Sequence, residues 1–203
     1  MLYSKLVTIY GRVENTTKTL EKTAILADFL KNVAPKELEE ITLLLQGLAF
    51  PEYDARDLGL GIQLAIKAIS SAGGSSIDQV KQLWKKTGDL GETASQIMGN
   101  KKQATLFSRS LTTSKVLGNL HKLSELEGPG TVDRKISLLK ELLASSNGEE
   151  SKYLVRICLN DLRIGIGEGV MRDSIALAFD VDKVAVQKAY DTTTDFGEVA
   201  QLA

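Results

Sequence analysis

The chain has 203 residues, 43% of them hydrophobic and 25% charged, and a formal net charge of −1, an ordinary globular composition long enough to bury a real core. No apolar run approaches the roughly 20 residues that span a bilayer, and the N-terminus MLYSKLVTIYGRVENT lacks a signal-peptide core, so an intracellular protein without a membrane partner is expected. One cysteine, Cys158, excludes an internal disulfide, and one histidine, His121, leaves no metal site of the usual His/Cys type.

Helical periodicity runs through the whole sequence. Apolar spacing predicts helices over 20–30, over 35–46 with Pro35 in the first turn and Gly47 as the stop, and over 62–72 ended by Gly73 and Gly74. Further helices are predicted over 77–86 capped by Ser76, over 113–126 stopped by Gly128, and over 132–145 after Thr131. Tyr153, Leu154, Ile157, Cys158, Leu162 and Ile164 continue the pattern, and a last helix is expected to start at Asp195 and to reach Ala203 without a cap or breaker. Strand-like alternation is hard to find. The expectation is an all-α fold, an irregular bundle of roughly ten to twelve helices in a single domain, 1–203, with breaks near 73–76, 101–112 and 128–131.

Gly165, Gly167 and Gly169 interrupt this pattern just after Arg163, and helical spacing resumes from Val170 to Phe179. Glycines at every second position free the backbone for positive φ and close approach, beside the unpaired amides of a helix start. That combination suits a phosphate; a tight packing turn between two helices is the alternative. Residues 57–68 (DLGLGIQLAIKA) and 87–95 (TGDLGETAS) echo it, so three similar turns are expected, each with exposed amide donors.

Charge is segregated along the chain. Residues 81–135 carry 10 Lys/Arg and 5 Asp/Glu, while 1–80 carry 8 and 10, and 136–203 carry 7 and 11. Lys81, Lys85 and Lys86, Lys101 and Lys102, and Arg134 and Lys135 would form a local positive surface, or simply a solvated face. Enzyme motifs fail: Val170 stands where a dinucleotide fold needs its third glycine, no Walker loop is present, and Glu39–Glu40 and Glu149–Glu150 are adjacent carboxylates without an acid/base geometry.

LGLG at 58–61, TGDLGE at 87–92, LT at 111–112, GPGTVDRKISLLKELL at 128–143 and YLVRICLNDLRIGIGEG at 153–169 together resemble the N-terminal DNA-binding domain of ATP-dependent DNA ligases, the archaeal branch most closely. The resemblance covers essentially the whole chain. It implies sequence-independent binding of nicked duplex DNA through minor groove and backbone, in an enzyme that seals nicks in replication, repair and recombination. It places Arg163, Gly165 and Gly167 against the minor groove, Gly88 and Gly91 with amides facing phosphates, and Thr131, Arg134 and Lys135 on a neighbouring phosphate. The family's adenylated lysine sits in K-x-D-G, and no Asp-Gly dipeptide occurs here, so this chain alone is expected to be inactive. ATP and Mg would belong to the full-length enzyme and no cofactor to this chain. Gln103, Leu106 and Phe107 are similar to a sliding-clamp-binding motif whose second aromatic is replaced by Ser108, or else anchor a loop. A monomer is expected, cytoplasmic if archaeal and nuclear if eukaryotic. The competing readings are a helical protein-interaction scaffold without DNA affinity and a small nucleotide-binding enzyme.

Overall fold

The structure is a computed structural model, and it describes residues 1–100 and 110–203. The Gln103, Leu106 and Phe107 segment lies outside the described residues, as do Lys101 and Lys102. Twelve α-helices are formed among the described residues: α1 (Tyr3–Glu14), α2 (Thr19–Leu30), α3 (Leu38–Leu45), α4 (Ile62–Gly73), α5 (Ile77–Thr87), α6 (Leu90–Gly99), α7 (Thr113–Glu125), α8 (Thr131–Ser145), α9 (Gly148–Cys158), α10 (Glu168–Phe179), α11 (Lys183–Thr193) and α12 (Phe196–Leu202). There is no strand among them, only an isolated bridge between Leu2 and Thr112. The all-α expectation holds, and none of the described helices is long and apolar enough to cross a membrane.

Local signals account for most helix ends. Ser76 accepts from the Gln79 amide while the Gln79 side chain accepts from the Ser76 amide, a reciprocal cap that starts α5. Asn147 and Glu150 do the same for α9. Gly74 at φ 67° closes α4 in the left-handed conformation that glycine adopts without strain. Two predicted ends move. Pro35–Glu37 forms a separate 3-10 turn before α3, and α9 stops at Cys158, because Asn160 turns left-handed at φ 53° and takes Leu162 and Ile164 out of the helix. Thr131 is not a cap: Gly130, at φ 76°, occupies that position, and the Thr131 hydroxyl donates back to the Gly128 carbonyl.

The chain divides into two compact units. Unit 1 comprises Met1, 5–56 and 162–203, and unit 2 comprises 2–4 and 57–161. In unit 1, α2 packs on α10 and α3 on α12; in unit 2, α8 packs on α4 and α9 on α6.

The units are built on one plan. Left-handed residues recur 106 positions apart: Gly59 and Gly165, Gly74 and Asp180, Gly88 and Thr194. The other halves match at a step of 113: Gly47 and Asn160 are both left-handed, and the closing bonds Leu48 N–H to Leu43 O and Asp161 N–H to Arg156 O are equivalent. On α2, Lys22, Leu26 and Leu30 are buried; on α8, Lys135, Leu139 and Leu143 are buried at the same spacing. The first copy of the repeat therefore contributes α2, α3 and α1 from Lys5 onward to unit 1 and α4–α6 to unit 2, and the second contributes α7–α9 to unit 2 and α10–α12 to unit 1. The two copies exchange halves, and each unit buries a core assembled from both.

Candidate nucleic-acid interface

Instead of three similar glycine turns there are two kinds, each occurring twice. The first is Thr87-Gly-Asp-Leu-Gly-Glu92 in unit 2 and Thr193-Thr-Asp-Phe-Gly-Glu198 in unit 1. In each, the aspartate caps the next helix through one oxygen: Asp89 Oδ1 accepts from the amides of Gly91 (2.7 Å) and Glu92 (3.3 Å), and Asp195 Oδ1 from Gly197 (2.7 Å) and Glu198 (3.2 Å). The Gly88 amide donates to Trp84 O at 2.8 Å. Both amides expected to face phosphates are thus already spent inside the fold. Gly91 is buried for a packing reason: a Cβ there would lie 2.7 Å from the Lys152 carbonyl and 2.7 Å from Arg156 Cγ. The 193–198 turn escaped the sequence reading, although its T-x-D-[LF]-G-E pattern was the signal.

Behind Asp89 lies a buried charge cluster. Arg156, 5% exposed, donates to Asp89 Oδ2 through Nε at 3.0 Å and NH2 at 2.7 Å, and Lys152 pairs with Glu92 at 2.6 Å. Burial alone would raise the Asp89 carboxyl, but the Arg156 bond and charge and the amides of Glu92 and Gly91 outweigh it and hold it below its ordinary value. In unit 1 the position of Arg156 is taken by Leu43.

The second kind of turn is Asp57-Leu-Gly-Leu-Gly61 before α4 and Arg163-Ile-Gly-Ile-Gly167 before α10. Each is held from below by a buried lysine. Lys135 Nζ donates to Leu58 O (2.8 Å) and Gly59 O (3.3 Å); Lys22 Nζ donates to Ile164 O (2.5 Å) and Gly165 O (3.2 Å). Lys135, expected on a phosphate, is 8% exposed and committed to this clamp, so it leaves the candidate contact set. Both glycines, Gly59 at φ 58° and Gly165 at φ 65°, need the left-handed region, and a Cβ on either would strike its lysine.

The surfaces of these turns differ. At unit 2, Asp57 Oδ1 accepts the Gly59 amide at 2.8 Å and adds a carboxylate. At unit 1, Arg163 holds that position, exposed and itself left-handed at φ 58°. The amides of Gly165 and Ile166 have no acceptor among the described residues. Gly167 starts α10 without a side-chain cap, so the first amides of that helix are also open, with the exposed Glu168 the one acid of its first turn. Exposed Arg163, Gly165 and Gly167 therefore belong to a single anion-receptive turn.

That turn, with its Arg-x-Gly-x-Gly order on a helix start, is the feature to set beside known sequences. Residues 2–176 match the family model described as DNA ligase N terminus. The chain belongs to this DNA ligase N-terminal family. It is 41% identical over 203 residues to a DNA ligase of Methanobrevibacter smithii, covering 100% of the chain and 37% of that protein. It is 42% identical to one from Thermococcus fumicolans, covering 100% and 36%, and 37% identical to one from Archaeoglobus fulgidus, covering 100% and 37%. The chain thus spans little more than a third of the length of the curated relatives it matches.

In this ligase N-terminal chain the remaining expected contacts fall at the start of α8. Arg134 is exposed, but its guanidinium donates to Glu127 O (2.9 Å) and Pro129 O (3.1 Å), bracing the GPG turn. It also walls an open groove of about 470 Å³ between α7 and α8, where Lys122 and Arg134 face Glu125 and Glu141. Mixed charge there weakens the attraction for a phosphate. Of the eight expected DNA residues, then, Arg163, Gly165 and Gly167 share one exposed turn, Thr131 and Arg134 sit in another in unit 2, and Gly88, Gly91 and Lys135 serve the frame.

Proposed function

We propose that this chain binds nicked duplex DNA without reading its sequence, as the N-terminal part of an ATP-dependent ligase that seals nicks in replication, repair and recombination. The observation that carries the reading is the Arg163–Gly167 turn, where an exposed arginine, two amides without an acceptor among the described residues and an uncapped helix start converge. An arginine suits the negative potential of a minor groove, and the glycines let backbone amides reach the sugar–phosphate edge. None of these groups distinguishes one base from another, which is the chemistry of positioning and not of sequence readout. Thr131 and Arg134 add a weaker contact at the start of α8. The nucleotide and Mg chemistry belongs to the rest of the enzyme, and Gln103, Leu106 and Phe107 are the proposed sliding-clamp contact. The free chain is a monomer inside the cell.

A mobility-shift titration on nicked and intact duplexes of two unrelated sequences, at two salt concentrations, tests this reading. Affinity should be alike on both sequences and should fall steeply with salt as counterions are recaptured. A helical interaction scaffold would show no salt-sensitive affinity for either duplex.

A further inference from the structure

Lys22 lies on the apolar stripe of α2 with Leu26 and Leu30, is 9% exposed, and has no carboxylate partner among the described residues. A buried ammonium on an apolar face is costly unless its donors are used, and here two of them span consecutive carbonyls, those of Ile164 and Gly165. In a planar trans peptide the carbonyl and the following N–H point in opposite directions. Turning those two carbonyls inward therefore turns the amides of Gly165 and Ile166 outward, into the concave donor pair that receives anions. We propose that Lys22 is the positioning residue of the DNA contact: it never touches the duplex, and it aims the amides that do.

The inference rests on the function proposed above, and the repeat supplies its control. Lys135 makes the same two bonds beneath the unit 2 turn, where the Gly59 amide is occupied by Asp57. Removing either lysine should loosen its own turn, but only the loss of Lys22 should weaken DNA binding.

The experiment compares Lys22→Met, Lys22→Arg, Lys135→Met and Arg163→Ala in the full chain, each measured for nicked-duplex affinity across a salt series. Lys22→Met should lose about tenfold in affinity or more, the scale of a few misaligned hydrogen bonds, with the slope of log affinity against log salt unchanged. Lys22→Arg, which can donate to both carbonyls, should recover part of the loss. Lys135→Met should stay within about twofold, while Arg163→Ala should lower the slope by about 0.9, the signature of a lost phosphate contact. A reduced slope in Lys22→Met, an unchanged affinity there, or an equal loss in Lys135→Met would each overturn the proposal. Amide resonances recorded without DNA give a second reading: those of Gly165 and Ile166 should shift in Lys22→Met, and their constancy would refute the positioning role. If the unsubstituted chain binds no duplex, the function proposed above falls with the DNA role of Lys22, and the DNA-free amide shifts still decide whether the lysine sets the turn.

Discussion

Gly91 separates two roles that one sequence position could serve. Reading it as a phosphate donor makes its amide important and its missing side chain incidental; the structure reverses this, because the amide caps α6 and the missing Cβ lets α6 meet α9. In Gly91→Ala the new carbon would sit 2.7 Å from the Lys152 carbonyl oxygen, 2.7 Å from Arg156 Cγ and 3.0 Å from Asp89 Oδ1. The Arg156 side chain can yield, whereas the backbone carbonyl in α9 moves only with its helix. Overpacking of this kind costs about 1–3 kcal/mol, and a backbone obstacle argues for the upper half, about 2–3. Better helix propensity returns at most about 1 kcal/mol. At about 2–4 °C per kcal/mol for a domain of this size, a net 1–2 kcal/mol lowers Tm by roughly 2–8 °C. Gly197→Ala, with its contacts at 2.9 and 3.0 Å, should fall less, and Gly118→Ala, in α7 with nothing within 4 Å, should match or exceed the parent. Thermal melts and DNA titrations of the three variants check this order. A Gly91→Ala chain that melts like the parent but binds DNA poorly would refute the packing role and restore the donor role.

Further outcomes follow from the charged and buried groups. Arg163→Ala should weaken binding on all duplex sequences alike; a loss confined to one sequence, seen in parallel titrations, would contradict a backbone contact. Arg156→Met should destabilise unit 2 by about 3–5 kcal/mol, since it strands a buried Asp89, and denaturant unfolding measures it. Because the folded Asp89 carboxyl is held low, its stabilisation is full above the ordinary carboxylate range and is lost as pH falls through and below about 3.9. Acid unfolding should therefore differ between parent and Asp89→Asn in that window, and coincident curves would argue against the linkage. Burial pushes the Cys158 thiol up to about 12, so a thiol reagent at pH 8 should label only unfolded protein, and rapid native labelling would deny its burial.

Most helices were legible because one face of each is apolar and their ends carry caps that chemistry specifies, as at Ser76 and Gly74. The Arg163 turn was legible for the same reason, since glycines at alternate positions cannot continue a helix. What misled was the treatment of every glycine before a helix as a free donor. Whether an amide is spent depends on a neighbour two residues away, and Asp89 and Asp57 consume donors that Arg163 leaves open. The clamping lysines were hidden by their charge, which reads as solvent-facing. Their register was the available clue: Lys22 precedes Leu26 and Leu30 by one and two turns, as Lys135 precedes Leu139 and Leu143, so each lies on its helix's buried stripe. The exchange of halves between repeats had no local signal, because it is a choice of partner made between segments roughly a hundred residues apart.

The most direct measurement is an amide-by-amide NMR titration of the chain with a nicked duplex. The largest shifts should fall on Gly165 to Gly169, with clearly smaller ones on Gly59 to Gly61, where Asp57 already occupies the donor. Shifts centred on the Asp57 turn, on Gly88 and Gly91, or on no glycine turn would contradict the claim that the Arg163 turn is where this chain grips DNA.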